Sequence, residues 1–267
     1  MSSPQPAPDV AATIAAHRLE GWQPVDEHVA ALHALARGDV SFTDYLARFR
    51  DRYPPPQPDV RRFRLRRAVP YFIPGTTVLR NEFGVTSAET LDDLEFVATA
   101  GRMVLWLRPP PDHPHVDDLD ARVIHRYLFR DVYSWAGEYR TTELRRGEQH
   151  FAWRSSIAGR MEAVHDAARE AAAACDGADA SRLAYALARI YADYNQIHPF
   201  REGNGRTGAA LLQIVARRCG RSLDLGRITR DEWYAAAKDS MPFRRDGRAS
   251  HRPFLYLLGP ALDDGRR

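Results

Sequence analysis

The stretch His198-Pro-Phe-Arg-Glu-Gly-Asn-Gly-Arg206 carries most of the residues in this chain that could do chemistry together. Gly203 and Gly205 allow positive φ and close backbone approach. A glycine loop that opens a helix aims several N–H groups at one point, and the helix dipole adds partial positive charge there, which makes an anion site. Arg206 in a first helical turn is misplaced for that dipole unless a phosphate is bound, when it becomes a bidentate partner. Glu202 beside a phosphate repels it unless a divalent cation such as Mg²⁺ bridges the two. His198 is the natural proton acceptor near neutral pH. A base, a metal carboxylate, an anion cradle and a charge clamp together suit attack on phosphorus. Any one of these residues alone would read as part of a solvated Gly-Asn-Gly turn. Their joint occurrence at this spacing favours chemistry.

The elements that must position this loop are helical. Apolar residues Leu183, Leu187, Ile190, Tyr191 and Tyr194 keep one face of a helix that begins near Ser181 and stops before His198-Pro199. A second helix is expected from about Arg206 through Leu211, Leu212 and Val215 to Gly220. Further helices are expected from Thr86-x-x-Glu89, over about 118–134, over 157–174, and from the capping box at Thr229-x-x-Glu232. Residues 137–152 alternate through Tyr139, Thr141, Gly147 and Phe151, which suits a short β-hairpin. Residues 10–52 read as three helices, the third capped by Ser41. The proline run 54–58 then breaks the pattern. The expected organisation is a helical module over 1–58, linker included, and a larger unit over 59–267 with its core at about 70–262. Residues 109–115 are expected to form a loop.

Composition narrows the classes. The 267 residues are 44% hydrophobic, enough for one substantial core. No apolar run reaches membrane-spanning length, and the polar, proline-rich start does not resemble a secretion signal, so a cytoplasmic protein is expected. A net charge of +3, with basic residues scattered among acids, offers no clustered face for nucleic acid. Lys238 is the only lysine, which excludes a glycine-rich phosphate loop ending in Gly-Lys-Ser/Thr. Cys175 and Cys219 match no metal or redox spacing and are expected as reduced thiols. His125, His150 and His165 lack ligand-like spacing and read as surface or flap residues. Trp135 reads as core, and the segment from His251 to Phe254 as terminal packing.

The sequence from His198 to Arg206 resembles the signature of the Fic (filamentation induced by cAMP) domain. The resemblance extends through the residues 74–84 and Trp135-Ala-Gly-Glu-Tyr-Arg140, covering roughly residues 70–260. It implies an all-α bundle with a β-hairpin flap, and transfer of AMP from ATP to a hydroxyl of a target protein. In that reading His198 deprotonates the hydroxyl and Glu202 holds Mg²⁺ on the phosphates. Gly203, Asn204 and Gly205 cradle the phosphates, Arg206 binds one of them, and Phe200 is a buried anchor. The flap, with Gly147, Gln149, His150 and Phe151, holds the target chain by strand addition. A bacterial toxin–antitoxin or stress-regulatory setting is implied too.

Two departures sharpen this. The family pattern continues Arg-x-x-Arg, but here Ala209 stands at the second arginine. The consequences are weaker ATP binding, a different donor such as UTP or a diphosphate-linked metabolite, or a non-catalytic interaction module. Residues 16–21, Ala-His-Arg-Leu-Glu-Gly, resemble the inhibitory motif of a small antitoxin, Ser/Thr-x-x-x-Glu-Gly, with Ala16 at the Ser/Thr position. Glu20 is therefore expected to be inhibitory, although the arginine its counterpart pairs with is the missing one. The competing reading makes residues 10–53 a plain helical cap.

Overall fold

The computed structural model describes residues 7–53, 70–108, 119–174 and 179–263. The proline break at 54–58 and the expected loop at 109–115 lie outside them. Among the described residues there are ten α-helices and one two-stranded sheet, the expected all-α class with one hairpin.

The first three helices have amphipathic or apolar faces to bury. Helix α1 (Pro8–Leu19) begins with Pro8 in its first turn, where a missing N–H costs nothing. Helix α2 (Asp26–Arg37) ends on Gly38 at φ 79°, and α3 (Phe42–Arg50) starts where Ser41 Oγ accepts from the Asp44 N–H at 3.1 Å. All three lie against α4 (Ala88–Leu107). Helix α4 is buried on every side, from Leu94 and Val97 to Met103 and Trp106, so it is the axis of the molecule rather than a surface helix. Gly101 makes the contact possible: a Cβ there would sit 2.5 Å from the Tyr45 ring, whose hydroxyl donates to Val97 O at 3.0 Å.

Helix α5 (Ala121–Phe129) packs between α4 and α8 (Asn204–Arg218). Helix α6 (Ile157–Ala173) lies on α7 (Ala180–Ile197), as does α10 (Arg252–Ala261) from the other side. Helix α9 (Arg230–Asp239) carries the expected reciprocal cap: Glu232 N–H donates to Thr229 Oγ1 (3.3 Å) and Thr229 N–H to Glu232 Oε2 (2.8 Å). One hydrophobic cluster runs from Val10 to Leu262, so α1–α3 share their core with the rest. Phe254 is fully buried, as a packing segment should be.

Several boundaries differ from expectation for local reasons. The cap of α4 is Ser87, which accepts from Thr90 N–H at 3.3 Å, rather than Thr86. Helix α5 is shorter than 118–134. Asp120 caps its start, and beyond Phe129 the chain turns, with Val132 O accepting the Glu82 N–H at 2.9 Å. Helix α8 begins at Asn204, so Gly205 is already helical and only Gly203 (φ 79°) is the left-handed cap. Cys219 is disulfide-bonded rather than reduced. The ends of α8 and α6 meet there, with Cys219 Sγ 3.6 Å from Ala171 O, a proximity that sequence spacing did not reveal.

Candidate active site

His198 ends α7 in the left-handed region (φ 50°, ψ 63°), with its N–H donating to Tyr194 O at 2.9 Å. A non-glycine residue there is strained, and strain of this kind persists only where neighbours over-determine it. Here the neighbours are visible. The imidazole stacks on Phe151 at 3.8 Å and 9°, and the His198 carbonyl accepts from Arg140 Nε at 2.8 Å. The Nδ1 atom is buried without a hydrogen-bond partner. Burial, then the nearby Arg146 and Arg140 charges, push its pKa well below the ordinary histidine range, while an interaction with the Asn195 backbone pulls the other way. The ring is therefore neutral at physiological pH.

The loop after His198 is closed from within. Asn204 Oδ1 accepts from Phe200 N–H and its Nδ2 donates to Phe200 O, both at 2.9 Å. Gly203 tolerates no side chain, because a Cβ would overlap the Phe129 ring. Glu202 Oε1 accepts from Gly203 N–H (2.9 Å) and keeps 43% of its side chain exposed. His125, expected at the surface, is completely buried beneath this loop. Its Nδ1 accepts from Gly137 N–H (2.8 Å), its Nε2 donates to Glu202 O (3.0 Å), and its ring stacks on Phe200 at 3.9 Å. Burial lowers its pKa to about 3, so it stays neutral. His165 is buried as well, its Nε2 accepting from Ala121 N–H at 3.1 Å. Histidine spacing could not reveal either role, because both partners are backbone groups distant in sequence. Trp135 is core, as expected.

Arg206 is buried and engaged. Its guanidinium pairs with Glu95, donates to Thr99 Oγ1 at 3.1 Å, and lies between the rings of Phe96 (4.9 Å) and Phe129 (4.8 Å). Burial works against the charge, but Glu95 outweighs it and raises the pKa above the ordinary range. Glu95 also accepts from the Tyr133 hydroxyl. Glu202 Oε1 lies 3.7 Å from the guanidinium.

Glu20, the C-terminal cap of α1, reaches this same place. A Cβ built on Gly205 would overlap its carboxylate, so the carboxylate lies against the first turn of α8. That turn's N–H groups have no intrahelical acceptor. The Glu20 carboxyl group thus sits where the glycine pattern leads one to expect an anion. Burial raises the Glu20 pKa; Arg206 opposes this, Glu202 adds to it, and Arg146 and Arg230 oppose it. Glu20 makes no ion pair with Arg206 at salt-bridge distance among the described residues. What docks α1 is its neighbour His17, fully buried, with Nδ1 donating to Thr13 O (2.8 Å) and Nε2 3.1 Å from Thr99 Oγ1. Burial and then the Arg206 charge lower its pKa to about 3.

The flap is the hairpin β1 (Arg145–Arg146) and β2 (Gln149–His150), paired Arg145 to His150 and Arg146 to Gln149. Gly147 at φ 57° supplies the first position of its two-residue turn. Gln149 Nε2 donates to Lys238 O at 3.2 Å, and His150 is exposed. Phe151 is buried against His198. Arg140, 2% exposed, joins flap and loop: besides His198 O, its guanidinium donates to Thr142 O (2.7 Å), Ala152 O (2.6 Å) and Ile197 O (3.2 Å). It is the positioning residue that residue types alone did not single out.

These groups surround a cavity of about 190 Å³, lined by His198, Glu202, Asn204 and Gly205 on one side and Tyr191, Trp233 and Tyr234 on the other, with Glu20 and Arg146 at its rim. A second cavity of about 290 Å³ adjoins it through Glu20, Glu202 and Tyr234 and reaches Arg206 and Glu95. Among the described residues no group of three or more histidine, cysteine or carboxylate side chains could hold a metal ion. A single exposed carboxylate, Glu202, nonetheless suits Mg²⁺, which keeps its waters and is commonly held by one carboxylate plus substrate phosphates.

Comparisons with known proteins agree with this geometry. The model of the Fic/DOC family matches residues 115–216. The probable protein adenylyltransferase y4lH of Sinorhizobium fredii is 36% identical over 162 residues, covering 60% of this chain and 81% of that protein. The probable protein adenylyltransferase Fic of Escherichia coli is 27% identical over 169 residues, covering 62% and 82%. Among solved structures, BepC of Bartonella tribocorum, with bound AMPPNP, shares the fold at a TM-score of 0.60 and 21% identity, covering 73% of this chain and 96% of that one. The chain belongs to the Fic/DOC family. No helix among the described residues is long and apolar enough to cross a membrane.

Proposed function

We propose that the protein transfers AMP from ATP to a hydroxyl side chain of a target protein. The observation that carries this is a neutral, strained His198 beside an anion cradle that a carboxylate already occupies. In the reaction the hydroxyl oxygen attacks the α-phosphorus, His198 takes its proton, and pyrophosphate leaves. The α8 N-terminus, with Gly203, Asn204 and Gly205, holds phosphate oxygens, and the aromatic wall of Tyr191 and Trp233 receives the base. Bound Mg²⁺ would neutralise phosphate charge, with Glu202 as its protein ligand. Arg206 supports Glu202 through the second cavity and completes the phosphate site. The flap holds the target as an added strand through Arg145–Phe151.

The relatives named protein adenylyltransferase support this reading. We further propose that α1–α3 form an antitoxin-like inhibitory module, with Glu20 as its plug. The carboxylate excludes phosphate by occupancy and like charge, without the arginine latch, since Ala209 is only a buried methyl group. That substitution also favours a second reading, in which the donor is another nucleotide or a diphosphate-linked compound.

The test is incubation with Mg²⁺ and ATP labelled on the α- or γ-phosphate, alone and with a bacterial lysate. Protein labelling from the α-label only is expected, lost in His198→Ala by a hundredfold or more and strengthened in Glu20→Gly. Labelling that survives His198→Ala would overturn the assignment of the base. Labelling from UTP or a diphosphate-linked donor alone would select the second reading.

A further inference from the structure

Ala209 lies one turn after Gly205 on α8 and is 2% exposed, so the helix that builds the cradle offers no second guanidinium. Yet positive charge stands close by: Arg146 lines the same cavity, and Arg230 lies just outside its lining, against Gly21 and Tyr234. Helix α9 passes beside the end of α1, and its first residue, Arg230, lies against Gly21. A Cβ on Gly21 would be 3.2 Å from both Cζ and Nη2 of Arg230. Gly21 directly follows the Glu20 plug. One turn along α9, Tyr234 lies under two guanidinium groups: Arg230 Cζ is 5.0 Å from its ring centroid and Arg146 Cζ, from the flap, is 5.3 Å away. Arg146 and Tyr234 line the cavity together with Glu20.

Neither arginine is spent. Among the described residues, no carboxylate lies within salt-bridge distance of Arg146 or Arg230, while Arg206, in the same neighbourhood, already pairs with Glu95 and donates to Thr99. Both act on the Glu20 carboxyl electrostatically, in the sense expected for cations near an anion. Arg201 also lines the cavity, but it lies over Phe72 at 5.0 Å and is not among the charges acting on Glu20. Two cations held over one aromatic ring, facing an anion that stands in the phosphate cradle, are placed to receive more negative charge than one carboxylate brings.

We propose that Arg230, supported by Arg146, receives the terminal phosphate of a nucleoside triphosphate once Glu20 has left the cradle, supplying from α9 and the flap the charge that Ala209 withholds from α8. This rests on the reading of the cavity as a nucleotide site. It adds a donor class: a triphosphate in preference to a diphosphate-linked compound. Arg230 is a specificity residue. It touches the phosphate furthest from the reacting atom and takes no part in proton transfer.

The experiment is calorimetric titration of Mg-ATP, Mg-ADP and AMP into Glu20→Gly, Glu20→Gly/Arg230→Ala and Glu20→Gly/Arg146→Ala. Arg230 is exposed and forms no side-chain cap, so its removal leaves the fold intact. The expected result is a loss of about tenfold in ATP affinity on Arg230→Ala, the scale of one charge-assisted hydrogen bond. ADP and AMP should change by less than about twofold by the same measure, and Arg146→Ala should show a smaller loss confined to ATP. Unchanged ATP affinity, or an equal fall for all three nucleotides, overturns the proposal while leaving the nucleotide site standing. Failure of Glu20→Gly to bind any of the three removes the nucleotide site itself, and the proposal with it.

Discussion

The His198–Arg206 loop and the end of α1 meet at one point, but they are built by opposite means. The loop is held by its own residues and by buried partners: Asn204 closes on Phe200, and His125 and Arg140 bind its carbonyls. The plug is held by α4, through His17 and Thr99, and only its tip touches the loop. The first arrangement resists deformation, because the loop's carbonyls at His198, Phe200 and Glu202 and the Asn204 amide all have fixed partners. The tip of the second is held by no salt bridge among the described residues, so the Glu20 side chain is free to turn aside while α1 keeps its core packing. On the proposed function, in which the loop is catalytic and Glu20 inhibitory, one must keep its geometry and the other must leave, and the difference suits both.

Three measurements break or sharpen the comparison. The largest effect is expected from Gly203→Ala. Its φ of 79° and the overlap with Phe129 together should cost about 3 kcal/mol or more in denaturant unfolding. A loss under 1 kcal/mol would show that the loop yields as readily as the plug.

Acidification comes next and strikes both regions. His125 in the loop and His17 behind the plug have folded pKa values lowered to about 3, against roughly 6.5 in the unfolded chain. A depressed histidine pKa means that the unfolded chain takes up a proton the fold refuses. Stability is therefore full above pH ~6.5 and is lost as pH falls towards about 3. Between pH 7 and pH 5 the loss should reach about 2 kcal/mol for each histidine. Unfolding midpoints measured at the two pH values check it; His198, likewise depressed, adds to the difference, and His17→Gln should remove about 2 kcal/mol of it.

The smallest effect is expected from Gly205→Ala. Its backbone is already helical, so the added methyl meets only the movable Glu20 carboxylate. Stability should change by less than about 1 kcal/mol, measured as for Gly203→Ala. Equal losses at the two glycines would mean that the plug is as rigidly built as the loop.

Much of this was legible in the chain. The hairpin followed from alternation around Gly147, the caps at Ser41 and Thr229 from their polar spacing, and the start of α8 from glycines opening a helix. The positions of His125, His165 and Cys219 were not, because each depends on a partner brought close only by packing. Arg140 was visible as part of a resemblance but not in its role, since four carbonyls converge on it only after the flap base and the loop have docked.

The sequence by itself determined the class of chemistry, the helical architecture and the family, because these rest on local residue order: glycine conformation, helix capping and the period of apolar residues. Tertiary structure decided which charges meet. It brought Glu20 onto Gly205, spent Arg206 on Glu95, and set Arg230 and Arg146 over Tyr234. Electrostatic partnership depends on distances of a few ångströms between segments far apart in the chain, and no local pattern records them.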